Sequence, residues 1–130
     1  MASTPSFAVT MKIGSVKMTT FTTSLTAPSP VATIVTGAST GTKVEELVIQ
    51  GLGTTAAGVA NLFLYDGTTY FLFDQVLVVA VTSNTTSIAW RARRQYQNLL
   101  LPSTSWSLRG SHTTTGNDNL LNVTAFGADL

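Results

Sequence analysis

Residues 58–81 read GVANLFLYDGTTYFLFDQVLVVAV, and only Asp66 and Asp74 in this stretch carry charge. Its residues are those that favour strands, and Asp66-Gly67 tolerates the left-handed backbone of a tight turn. The stretch therefore reads as a hairpin. NLFLY runs up to the turn DGTT and YFLF runs away from it. If all four loop residues belong to the turn, Tyr65 faces Tyr70 and Leu64 faces Phe71. QVLVVAV then reads as a further strand. Runs this apolar predict burial on both strand faces: a partner sheet on one side, and an extended arm or a neighbouring subunit on the other.

The rest of the chain keeps the same rhythm. SFAVTMKI alternates, with Phe7, Val9, Met11 and Ile13 on one face, and SVKMTTFTTSL follows as a looser strand. Pro28 and Pro30 interrupt the ladder, because proline has no N–H to donate. VATIVTG comes next. GTKVEELVIQG offers early glutamates to a helix, but it is short and β-branched towards its end, so it reads as a strand. In IAWRARRQY, Ile88, Trp90, Ala92 and Tyr96 point one way, and Ala89, Arg91, Arg93 and Gln95 the other. SWSLRG puts Trp106 and Leu108 on one face, and NLLNVTAFG closes the chain. About eight or nine short strands with frequent turns predict an all-β, single-domain β-sandwich. Eight strands in two sheets is the jelly-roll number, and the jelly roll is the expected topology, although an immunoglobulin-like sandwich shares this rhythm.

Residues 31–130 carry the sandwich in this reading. Residues 1–30 are rich in Thr and Ser and end in APSP. They are either an N-terminal arm that adds a strand to a neighbour or the first strands of the sandwich.

Composition bounds the function. The chain has 130 residues, enough for one domain. Charged residues are 10%, hydrophobic residues 44%, and the net charge is +1. Nothing in that balance points to a polyanion, so nucleic acid is not an expected partner. A surface so poor in charge disfavours a free monomer and favours one covered in an assembly. The absence of cysteine excludes disulfides and thiolate metal sites and fits a cytosolic or virion setting. No apolar core follows a basic start, so no secretory signal is expected. The uncharged apolar run Val76–Val81 is far too short for a membrane helix.

No residue pattern calls for catalysis, a cofactor or a metal. The one histidine, His112, neighbours Ser111 and precedes Asp118, but no G-x-S-x-G elbow is present and the segment reads as a polar loop. Asp66 and Asp74 would lie about 25 Å apart on an extended strand, too far for paired carboxylates. Asn117, Asp118 and Asn119 lack the ligand ladder of a calcium loop. GLGTTAAG has neither the lysine nor the helix of a phosphate cradle. Arg91, Arg93 and Arg94 form the one basic cluster; a solvated face that resists edge pairing, protein docking and, last, nucleic acid are its readings. Trp90, Trp106 and Tyr96 could make a sugar-stacking platform, but alternation sends both tryptophans to the core.

From about Thr36 onward the chain resembles small structural proteins of tailed bacteriophages. GTKVEELVIQGLGTTAAGVANLFLYDG, with its G-T-T-x-A-G step, carries the resemblance, as do NLLLPSTSWSLRGS and NVTAFGADL. It implies a non-enzymatic virion structural protein, expected to be a capsid cement or decoration subunit. Such a subunit would be assembled in the host cytoplasm, lie on the capsid surface, and contact the major capsid protein and itself as a dimer or trimer. A tail, neck or fibre component, or a carbohydrate-binding sandwich module, are the alternatives. The expected interface residues are Phe63, Tyr65, Tyr70 and Phe71 for packing, with Arg91 and Arg93 for polar docking.

Overall fold

The computed structural model describes residues 10–130. Eight strands make two four-stranded antiparallel sheets. They are β1 (Thr10–Met18), β2 (Ala32–Thr36), β3 (Thr42–Gly51), β4 (Gly58–Tyr65), β5 (Tyr70–Val78), β6 (Arg91–Leu101), β7 (Ser107–His112) and β8 (Leu121–Asp129). One sheet runs β1-β8-β3-β6 and the other β2-β7-β4-β5. Consequently β1 pairs with β8, β2 with β7, β3 with β6 and β4 with β5. Those are the pairings of one long hairpin bent across two layers.

The fold is the all-β sandwich that the alternation predicts. Met18, Ile34, Val44, Leu47, Ile49, Leu62, Val78, Leu101, Leu108, Leu121 and Val123 fill the space between the sheets, all but buried. The Asp66–Thr69 turn has the expected register, with Tyr65 opposite Tyr70 and Leu64 opposite Phe71. Gly67 holds φ 104°, and the Asp66 carboxylate accepts from the Thr68 and Thr69 N–H groups at 2.9 and 2.7 Å. GTKVEELVIQG is strand β3, as its β-branched end predicts.

Several expectations are corrected. YFLF and the first half of QVLVVAV form one continuous strand that ends at Val78, because a bulge at Leu62/Phe63 absorbs the extra residue at Phe73. Burial on both faces holds for the central strand β4 but not for the edge strand β5, where Phe71 and Leu77 lie exposed. Among the described N-terminal residues, Thr10–Met18 form one sheet strand that runs across the boundary between the two expected stretches. Phe7 and Val9 lie outside the described residues. Met11 and Ile13 share a face as predicted, but it is the outer one, at 84% and 67% exposed. The inner face of β1 instead presents Gly14, Val16 and Met18. Gly14 passes so close to β2 that an added Cβ would stand 2.3 Å from the Ile34 carbonyl oxygen. That close approach leaves no room for a side chain and fixes which face of β1 looks inward. Ile88 precedes β6 and is 90% exposed, whereas Trp90, Ala92 and Tyr96 do pack on the core.

Candidate functional site

The expected interface residues fall into two places, at opposite ends of the sandwich. The first is the end that carries the β4–β5 turn. Strand alternation sends Ala60, Leu62 and Leu64 inward and Asn61, Phe63 and Tyr65 outward. In register beside them on the outer face stand Arg109 and Ser107 of β7 and Tyr70 and Leu72 of β5. Tyr65 and Tyr70 lie with ring centroids 4.3 Å apart, and Tyr70 meets Phe63 edge-on at 5.9 Å. The Arg109 guanidinium carbon sits 4.2 Å from the centre of the Tyr65 ring. Its Nε donates to Ser107 Oγ at 2.9 Å and one Nη to the Tyr70 hydroxyl at 3.3 Å.

Phe63 is 0% exposed within this chain alone, so it has no surface to offer a partner and leaves the docking set. Its place on the outer face is closed by its strand neighbours and the Tyr70 ring. Tyr65 and Tyr70 remain partly exposed. Phe71 lies on the opposite face of β5, 47% exposed and stacked on Trp106 at 6.4 Å.

The second place lies at the other end. Arg91 and Arg93 project together from the outer face of β6, as alternation predicts. Arg93 is tied to Glu46 of β3 by an ion pair. Arg91 has no carboxylate partner among the described residues. It borders an open cleft of about 530 Å³ lined by Gln50 and the loop Ser83–Ala89. Hydroxyls and amides share that lining about evenly with apolar surface. The exposed Ile88 stands among it.

Arg94 points the other way and crosses from one sheet to the other. Its Nε lies 3.3 Å from Asp74 of β5, and one Nη donates to the Gln75 carbonyl at 3.1 Å. The Tyr96 hydroxyl donates to the same Asp74 carboxylate at 2.8 Å, and its ring tilts against Phe73 at 5.5 Å. Burial, with Asp74 beside it, pushes the Tyr96 phenol well above the ordinary tyrosine range. These contacts lace the edges β5 and β6 together, so the basic cluster divides into one docking candidate, one surface ion pair and one cross-sheet tie.

His112 ends β7 and is fully buried rather than part of a polar loop. Its Nε2 lies 3.2 Å from the Thr19 carbonyl oxygen and 3.4 Å from Asp118. Successive strand residues face opposite ways, so Ser111 points away from His112, and the three residues do not make a triad. Asn117 is also buried. Its amide accepts from Ala56 N–H at 2.8 Å and donates to Ala56 C=O at 2.9 Å, which pins the loop after β3. Trp90 is core, and Trp106 is half-covered against Phe71, so neither offers an open face to a sugar.

Sequence reading missed Arg109. The alternation of SWSLRG already placed Trp106 and Leu108 inward and hence Arg109 outward. What it lacked was the register that sets Arg109 across from Phe63 and next to the paired tyrosines.

No protein-family model matches the chain, and no curated protein shows significant similarity to it.

Proposed function

We propose that the chain is a non-enzymatic structural subunit of a phage virion, a cement or decoration protein that bridges major capsid subunits on the outer shell. We propose further that its sandwich is a jelly roll; the pairing of first with last strand, second with seventh, third with sixth and fourth with fifth supports that topology.

One observation carries the docking role. Met11 and Ile13 stand in the open on the outer face of the edge strand β1, with Phe126 of β8, 39% exposed, directly across from Ile13. Neighbouring large apolar side chains on one outer face are what an interface covers, whereas single ones are ordinary. A standard interface of roughly 1,600 Å² gives a large gross gain at about 25 cal/mol per Å², before the costs of association. Many copies on one shell would multiply modest contacts.

Light-scattering chromatography and adsorption to shells assembled without the subunit test this reading. The wild type should run as a dimer or trimer and adsorb. Met11→Ser with Ile13→Ser should weaken both while leaving the unfolding midpoint close to wild type. A wild-type monomer that ignores such shells would overturn it.

A further inference from the structure

The seven basic and six acidic side chains of the sequence all lie within the described residues. Five of the six carboxylates are engaged inside the chain. Glu45 meets Lys43, Glu46 meets Arg93, and Asp74 meets Arg94 and Tyr96, while Asp118 Oδ1 stands 3.4 Å from His112 Nε2 and accepts no hydrogen bond. Asp129 meets Lys12 at 3.2 Å and accepts from Thr42 at 2.7 Å, and Asp66 is held by its own turn. Among the described residues, Lys17, Arg91 and Arg109 have no carboxylate partner. Lys17 and Arg91 are free chains on the outer face of the β1-β8-β3-β6 sheet. Arg109 differs in kind.

Its guanidinium is fixed before any partner arrives. Tyr65 supports one face, Ser107 holds Nε and the Tyr70 hydroxyl accepts from one Nη. The aromatic bed beneath is itself rigid, because Phe63 is fully buried and meets Tyr70 edge-on. Two of the five N–H groups are used, which leaves three for an incoming ligand. A planar, preorganised fork with spare donors matches a carboxylate in two-point geometry and loses little freedom on binding it.

We propose that Arg109, seated on Tyr65 and Tyr70, is the anchor for a carboxylate side chain of a partner protein surface. Arg109 stands on the outer face of the β2-β7-β4-β5 sheet, across the sandwich from Met11 and Ile13, so this is a second contact of the subunit, and it rests on the docking reading above. The tyrosine rings flank the ion pair and exclude water from it, as residues around an interface anchor do. The partner surface is acidic, since this chain contributes a cation to the contact and keeps all but one of its own carboxylates for itself.

A hexaglutamate peptide is the probe, followed by NMR of the arginine Nε–H and tyrosine ring signals in the intact chain. The peptide should shift the signals of Arg109, Tyr65 and Tyr70. Arg109→Gln should weaken it by about tenfold, the scale of a charge-assisted hydrogen bond. Arg109→Lys keeps the charge and the fold but loses the fork, and it should weaken binding nearly as far. Arg91→Gln and Lys17→Gln remove the same charge elsewhere and should leave affinity within about twofold. Equal losses in all three neutralised variants would overturn the anchor in favour of net charge. So would Arg109 signals that move with a neutral oligosaccharide and not with the peptide. Shell adsorption is scored separately. Adsorption without peptide shifts at Arg109 sinks the anchor alone, and peptide shifts without adsorption sink the shell reading alone.

Discussion

Phe63→Ala separates packing from docking at the most aromatic place in the molecule. Phe63 is on the outer face of its sheet, where an interface residue would stand, but it is 0% exposed. Truncation of a fully buried phenylalanine costs about 3–5 kcal/mol, since the neighbours refill the space only in part. Here refilling is hindered, because Tyr70 leans on the ring edge-on and is itself tied to Arg109. A chain of 130 residues has an unfolding entropy of about 0.27 kcal/mol per degree at about 2.1 cal/mol/K per residue. The expected fall in Tm is therefore about 11–18 °C. Total stability for such a chain is about 6–20 kcal/mol, so the variant should still fold at room temperature. Phe71→Ala is the internal comparison. With about half of that ring already in water, its loss should be about half as large. Urea unfolding followed by circular dichroism measures both. A Phe63→Ala loss below about 1 kcal/mol, or one no greater than that of Phe71→Ala, would refute the claim that Phe63 is an internal packing residue.

Two further substitutions probe the frame around the site. Gly14→Ala should cost about 1–3 kcal/mol in urea unfolding, because its Cβ would meet the Ile34 carbonyl oxygen at 2.3 Å and the Val35 Cβ at 2.8 Å; Gly53→Ala, whose nearest neighbour would be Leu120 Cδ2 at 3.5 Å, should be much milder. Tyr96→Phe should flatten the alkaline limb of the stability profile. The folded phenol titrates above the unfolded one, so the unfolded chain loses its proton first and stability falls as pH rises beyond about 10. The urea midpoint of the wild type should drop more than that of the variant between about pH 9 and pH 11, and equal drops would count against the Asp74–Tyr96 contact.

The layers of the fold were legible because strand alternation has a period of two and most strands obey it. The hairpin at Asp66-Gly67 was readable to the residue, since a turn whose glycine takes φ > 0 fixes its own register. Strand edges were less legible. Met11 and Ile13 look like a core face in SFAVTMKI, but the decision belonged to Gly14, whose missing side chain lets β1 approach β2. Ile88 looked inward because the strand was started three residues too early. The register of Tyr65 opposite Tyr70 and the shared outer face of Arg91 and Arg93 are as the alternation reads, whereas Phe63 is wholly covered. Local pattern gives a residue's face, and only the paired strands reveal whether that face is covered. Arg109 shows the same limit from the other side. Its neighbours Phe63 and Tyr70 lie 46 and 39 positions away in the sequence, and their meeting is a product of register.

The scarcity of charge takes a more specific form in three dimensions. Carboxylates here act mainly as ties: Asp74 joins the two sheets at β5 and β6, Glu46 joins β3 to β6, Asp129 holds both Lys12 of β1 and Thr42 of β3, and Asp66 shapes a turn. Charges used this way solubilise little, because each exposed pair is nearly neutral from a distance. The field outside the molecule is then set by the few cations left over, and those sit on the outer faces of both sheets. The apolar residues Met11, Ile13 and Phe126 share one of these faces with Arg91 and Lys17. A partner suited to this surface must cover apolar side chains and supply carboxylates at their rim. That combination is more selective than greasiness alone, because an apolar partner without the acids would leave Arg91 and Lys17 dry and unpaired.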